Sequence, residues 1–313
     1  RQQEPFYSAK KITAMNTHHP DTDTLEKAVS NYPEPPFPEQ EQEMPASEQE
    51  MDPKPDHGEK TYKGSGKLAG RKALITGGDS GIGKAVALAF AREGADLVIS
   101  YLNEEEDAAE IKDLVKQEDR NIVLVPGDIS DEAHCNALVE RTVNELGGID
   151  ILVNNAAYQM QHESLQEITA EEWDYTFRTN VHAMFYLCKA AEPHLQEGSC
   201  VINTSSVNAY TPNPGLLPYT LTKAAIQNFT ATLAQLWGEK GIRVNCVAPG
   251  PVWTPLIPGS FPAEKVSAFG KKTPLKRPAQ PAELAPAFVF LACSEASYVS
   301  GATVQVTGGM PTI

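Results

Sequence analysis

The sequence predicts an α/β chain built on one doubly wound parallel sheet of seven strands with helices on both faces, preceded by an extended N-terminal arm. Three observations carry this. From Lys67 onward, short apolar runs of strand character alternate with longer amphipathic stretches. A glycine-rich turn stands directly between the first apolar run and the first helical stretch. Ahead of Lys67 the texture differs: residues 1–66 are rich in Pro, Glu and Gln, with little period of either kind.

Taken in order, the strands fall at 73–76, 97–101, 122–126, 151–154, 200–204, 243–248 and 303–306, each a compact run of apolar and β-branched residues. Helical spacing occupies the intervals at 83–93, 104–118, 131–146, 171–194, 219–240 and 282–294. Seven strands with helices between them make one domain, 67–313. Thr169 and Glu172 stand three residues apart at the start of the fourth helical stretch and predict a reciprocal capping box. The 1–66 arm reads first as a solvated tail, because its composition buries too little surface to offset the entropy of ordering. Its isolated aromatics, Phe6, Tyr7, Tyr32, Phe37 and Tyr62, allow the sharper alternative of an arm that wraps a neighbouring subunit.

Composition limits the function. A net charge of −15 leaves no basic face for a phosphate backbone, so nucleic-acid binding is not expected. No apolar run approaches the length that crosses a membrane, and the first residues lack the apolar core of a signal peptide; the expectation is a soluble, cytoplasmic protein. The five cysteines, Cys135, Cys188, Cys200, Cys246 and Cys293, are scattered without a Cys-x-x-Cys pair, so neither a metal nor dithiol chemistry is expected.

The turn after the first strand reads Thr76-Gly77-Gly78-Asp79-Ser80-Gly81-Ile82-Gly83. Gly77 suits the tight turn, Gly81 lets backbone approach a pyrophosphate, and Gly83 permits close helix-on-strand packing at a helix N-terminus that faces phosphates. This is a Rossmann-type dinucleotide loop. At the end of the second strand, Ser100-Tyr101-Leu102-Asn103 offers no carboxylate for the adenosine ribose and no arginine for a 2′-phosphate, which permits NAD and modestly favours NADP. Further along, Tyr219 and Lys223 lie four residues apart on one helical face, where the ammonium is expected to lower the phenol toward use as a base.

Together with Gly127-Asp128-Ile129, Asn154-Asn155-Ala156-Ala157, Ser205-Ser206 and Pro249-Gly250-Pro251-Val252-Trp253-Thr254, these motifs resemble, in order and position, the short-chain dehydrogenase/reductase family. The resemblance runs from about Lys67 to the C-terminus and implies hydride transfer between a nicotinamide and a carbonyl or alcohol. It implies Tyr219 as acid and base, Lys223 on the nicotinamide ribose, Ser206 as donor to the substrate oxygen, and Asn180 as a helix-interrupting residue that holds a water linked to the lysine. It implies cofactor contacts from Thr76, Gly77, Ser80, Gly81, Ile82, Gly83, Ser100, Tyr101, Asp128, Ile129, Asn154, Ala156, Ala157, Pro249, Gly250, Val252 and Thr254, besides Tyr219 and Lys223. Ala157 departs from the glycine usual there, Thr222 replaces a serine and Thr307 an aspartate. Within the family the chain is similar to the glucose and ribitol dehydrogenase-like branch with its general-stress oxidoreductases. That implies aldehyde, sugar or polyol substrates and a homotetramer. A lid is expected over 255–278, a pocket wall from Tyr158, Gln159, Met160, Asn208 and Leu256, and plain packing for Trp253. The rival reading is a catalytically silent dinucleotide-binding regulator or scaffold.

Overall fold

The computed structural model describes residues 32–312. Of the residues expected to anchor the arm, Phe6 and Tyr7 lie outside that range. Among the described residues, β1 (Lys72–Thr76), β2 (Asp96–Tyr101), β3 (Ile122–Pro126), β4 (Ile151–Asn154), β5 (Cys200–Thr204), β6 (Arg243–Pro249) and β7 (Thr303–Val306) form one sheet. Its order is β3-β2-β1-β4-β5-β6-β7 and every pairing is parallel. The order reverses direction between β1 and β4, which opens a crevice at the carboxyl ends of those strands.

The helices are α1 (Gly81–Arg92), α2 (Glu105–Gln117), α3 (Glu132–Leu146), α4 (Ala170–Phe177), α5 (Ala183–Ala191), α6 (Leu217–Trp237), α7 (Ala263–Ser267) and α8 (Ala285–Ala292). Strand alternation divides the core into two layers. Ile75, Leu97, Ile99, Ile151, Val153 and Ile202 face the layer of α1 and α8. Their neighbours Leu74, Val98, Leu152 and Val201 face α3, α5 and α6. Both faces of the central strands are therefore buried, which is why these runs are continuously apolar.

The helix expected over 171–194 is broken by a π-turn at Arg178–His182, between α4 and α5, at the Asn180 that the resemblance implied as helix-interrupting. Two expectations are corrected. Thr169 caps α4 through Glu172 N at 3.1 Å, but the Glu172 carboxylate goes to His162 Nε2 at 2.6 Å, so the capping box is half made. A short helix, α7, stands inside the expected lid, in a run too brief to show a period.

The arm differs most. Residues 33–66 are not a solvated tail: Phe37, Ala46 and Met51 are buried, and Phe37 lies 4.3 Å from the Trp253 ring. Trp253 is fully buried there and donates to Pro53 O at 2.8 Å, which confirms its packing role. A few apolar anchors, spaced without period along a polar chain, suffice because they seat on a surface already folded. Averaged composition hides them.

Candidate active site

A cleft of about 570 Å³ opens at the β1/β4 switch point. Gly77, Ser80, Gly81 and Ile82 line one side, and Pro249, Gly250, Val252 and Thr254 the other, with Tyr219 and Lys223 at the inner end. Gly77 has φ +60°, and a Cβ there would come within 3.0 Å of Ala156 Cα, so the turn requires glycine. A Cβ on Gly83 would fall 1.8 Å from Gly77 O; this glycine holds α1 against the loop. The α1 N-terminus consequently sits at the cleft wall, where amides and macrodipole suit a pyrophosphate. These residues fit a dinucleotide.

At the far end Ser100, Tyr101, Asp128 and Ile129 line the cleft as expected, joined by Asp79 and Glu104. Carboxyls are thus present at this end, supplied by the loop and the start of α2 and not by the strand terminus. Burial, reinforced by Glu104, pushes Asp79 up to about 8, so at neutral pH it is protonated and can donate a hydrogen bond.

At the inner end Lys223 Nζ donates to Thr204 O at 2.8 Å and stands 5.3 Å from the centre of the Tyr219 ring. The Ser206 hydroxyl accepts from Asn208 N at 3.1 Å and from Asn208 Nδ2 at 3.4 Å, and it hydrogen-bonds the Tyr219 phenol. Burial pushes Tyr219 up to about 12 against that bond, and burial brings Lys223 down to about 8. In the protein alone burial thus outweighs the Ser206 bond on the phenol; the lowering expected from the lysine and an oxidised nicotinamide together belongs to the cofactor-bound state. Ser205 turns away and donates to Lys223 O at 2.7 Å.

Four residues expected in the site do not line the cleft, although it brings the others together. Thr76 Oγ1 accepts from Asn155 N and Ala156 N at 3.0 and 3.1 Å and ties β1 to the loop after β4. Gly83 is the packing glycine described above. Asn154 is buried and donates to Asn203 Oδ1 at 2.8 Å, across to β5. Asn180 sits in the π-turn, accepts from Tyr158 N at 2.7 Å, and donates to Tyr158 O at 2.8 Å and Thr222 Oγ1 at 3.1 Å. Its side chain is a clamp on the pocket wall, and Thr222 completes that clamp.

Of the expected wall residues, Tyr158, Gln159, Asn208 and Leu256 line the cleft and Met160 does not. Ala157 lines it too. Sequence reasoning missed Asn155, whose Nδ2 donates to Thr76 O and Gly77 O and holds the glycine turn. It also missed Met44, Pro45 and Ala46, which reach the cleft from the arm. Asn155 stood in a quoted motif and was legible; the arm residues carried no signal.

A family model described as enoyl-(acyl carrier protein) reductase matches residues 77–311. General stress protein 39 of Bacillus subtilis is 51% identical over 281 residues, covering 90% of this chain and 98% of its own. The chain belongs to the short-chain dehydrogenase/reductase family. The chloroplastic NADPH-dependent aldehyde reductase 1 of Arabidopsis thaliana is 46% identical over 273 residues, covering 85% and 95% of the two chains. Among solved structures, a short-chain dehydrogenase/reductase of Brucella melitensis named glucose/ribitol dehydrogenase superposes with a TM-score of 0.73. It is 31% identical and covers 80% of this chain and all of its own. This protein is accordingly an NAD(P)-dependent oxidoreductase acting on CH–OH groups.

Proposed function

We propose that the protein interconverts small polar aldehydes, sugars or polyols with their alcohol or carbonyl partners, with NADP preferred over NAD. The observation that carries this reading is the meeting of Ser206, Tyr219 and Lys223 in one cleft with the glycine-rich loop. The bound nicotinamide supplies or accepts the hydride. Ser206 accepts two hydrogen bonds from Asn208, which leaves its own proton for the phenol or the substrate oxygen. Tyr219, protonated at neutral pH, delivers its proton to the forming alkoxide in reduction and takes it back in oxidation. Lys223 supplies positive charge beside the phenol and a donor for the ribose.

The wall supports this substrate class. Asn208, Asn213 and Gln159 offer amides for hydroxyl groups, while Leu216, Phe261 and Met310 limit size. The aldehyde reductase and glucose/ribitol dehydrogenase names of the relatives agree with this class. NADP is supported by the lack of a carboxylate at the β2 terminus and by the NADPH-dependent relative. A homotetramer is supported by the exposed Phe185 on α5 and Leu221 and Leu236 on α6, apolar groups suited to burial between subunits.

The test is reduced-nicotinamide absorbance with a panel of aldehydes, aldoses and polyols. Turnover with wild type, lost by about 100-fold or more in Tyr219→Phe with dinucleotide binding retained, supports the reading. Dinucleotide binding without turnover on any member would replace it with the silent regulator.

A further inference from the structure

We infer that residues 37–57 of the arm are a strap that retains the dinucleotide, with Met44–Ala46 as a wall of its site and Phe37 and Glu48 as fasteners on opposite sides of the cleft. The inference rests on the dinucleotide reading of the cleft, which the glycine loop and the family establish independently.

One fastener lies on the phosphate side. Glu48 is 2% exposed; its Oε1 accepts from Gly81 N at 2.6 Å, and its Oε2 pairs with Lys84 Nζ at 2.7 Å. His57 Nε2 meets Oε1 at 2.7 Å, and Glu59 holds His57 Nδ1 at 2.9 Å. The Glu48 amide and the Ser47 hydroxyl donate to Asp107 on α2 at 3.0 and 3.2 Å. An arm carboxylate therefore sits directly on the N-terminus of α1, the element that faces the phosphates. Flanking Lys84 and His57 balance its charge.

The other fastener lies on the expected lid. Phe37 stacks on Trp253 and exchanges hydrogen bonds with Ser267: Phe37 N donates to Ser267 O at 2.9 Å and Ser267 Oγ to Phe37 O at 2.7 Å. Gln42 N donates to Pro258 O at 2.9 Å. Gly259 is the seat between them, since a Cβ there would fall 2.5 Å from Met44 Sδ and 3.0 Å from Ala46 Cβ. The chain from Gln42 to Glu48 thus crosses from the lid to the α1 N-terminus. Beneath it the two cleft walls already approach, a Cβ on Gly81 lying 3.0 Å from Thr254 Cγ2. Met44, Pro45 and Ala46 line the same cleft as Gly77, Ser80 and Thr254, so a dinucleotide held in that cleft would lie against this crossing.

The solved Brucella structure leaves about a fifth of this chain without a counterpart. The match to General stress protein 39 spans 281 residues, longer than the stretch from Lys67 to the C-terminus, so it takes in part of the arm.

The test is stopped-flow displacement of reduced dinucleotide, followed by its fluorescence, on the full chain and on Phe37→Ala, Glu48→Gln and Met44→Ala. Dissociation is expected to quicken about 10-fold in each, since affinity changes at one site appear mainly in the off-rate. Phe37→Ala leaves the charge cluster intact, and Met44→Ala touches neither fastener, so a common effect cannot arise from electrostatics or lost stability alone. A lowered melting temperature with an off-rate within about 2-fold of wild type in all three would show a merely structural arm and overturn the inference. So would slower dissociation in Glu48→Gln, which would mark the carboxylate as a competitor of the phosphates. Failure of the wild type to bind any dinucleotide would overturn the reading of the cleft itself.

Discussion

Raising the pH should loosen the arm chiefly through the proton on His57. His57 is 3% exposed and lies between the carboxylates of Glu48 and Glu59. Burial works against its charged form, but Glu48 overcomes this and holds the imidazolium up at about 9, against 6.5 for the free side chain. The folded pKa is the higher one, so the stabilisation is complete below 6.5 and is lost as pH rises through about 9. That gap corresponds to about 3 kcal/mol, falling by about 1.4 kcal/mol per pH unit across the window. Glu59 works in the opposite sense: burial opposes its ionisation, yet His57 brings it down to about 2. Its contribution is present above 4.5 and fades as pH falls toward 2. Hydrogen exchange at the arm amides that bond to the sheet domain, Phe37 N, Gln42 N and Glu48 N, reads this directly. Their protection should fall between pH 6.5 and 9 in wild type, after correction for intrinsic exchange, and the slope should be reduced in His57→Gln to the part that Asp79, up at about 8, contributes. A flat wild-type profile, or the same slope in His57→Gln, would refute the assignment of the proton to His57.

Further outcomes follow from the site. Gly83→Ala should cost about 3 kcal/mol or more and abolish dinucleotide binding, because the added Cβ meets the Gly77 carbonyl at 1.8 Å and α1 must move; thermal melting with a dinucleotide titration checks it. Asn180→Ala strands the Tyr158 amide and carbonyl, each worth about 1–3 kcal/mol if left unpaired, and should raise the substrate KM while leaving dinucleotide affinity near wild type. Trp253→Phe removes the bond to Pro53 O and should cost about 1 kcal/mol, measured by urea unfolding. Ser206→Ala should lower kcat by about 100-fold through loss of the donor to the substrate oxygen, without change in the dinucleotide dissociation constant.

The central strands could be placed from residue types alone because burial on both faces leaves a continuous apolar signature, and the half-buried edge strands β3 and β7 by their short runs of β-branched residues. Four of them, β3, β4, β5 and β7, begin and end where that pattern does. Gly77, Gly81 and Gly83 were legible for a related reason: a turn and a close approach that admit no Cβ leave a visible mark at fixed spacing. Tyr219, Lys223 and Ser206 were recognisable as a set, and their burial in one cleft follows from the order of β4, β5 and α6.

What the chain alone could not determine depends on partners distant in sequence. The π-turn at Asn180 has no periodic signature and was implied only by the family resemblance; its partners Tyr158 and Thr222 are brought to it from the loop after β4 and from α6. Helical spacing reports the proximity of Tyr219 and Lys223 but not their desolvation, which only the packed cleft sets. The arm is the clearest case. Its composition is that of a chain that cannot fold by itself, and it does not need to: Glu48, Phe37 and Met51 are ordered by a surface that the other residues build first, so their role is written in contacts across the fold and not in any local pattern.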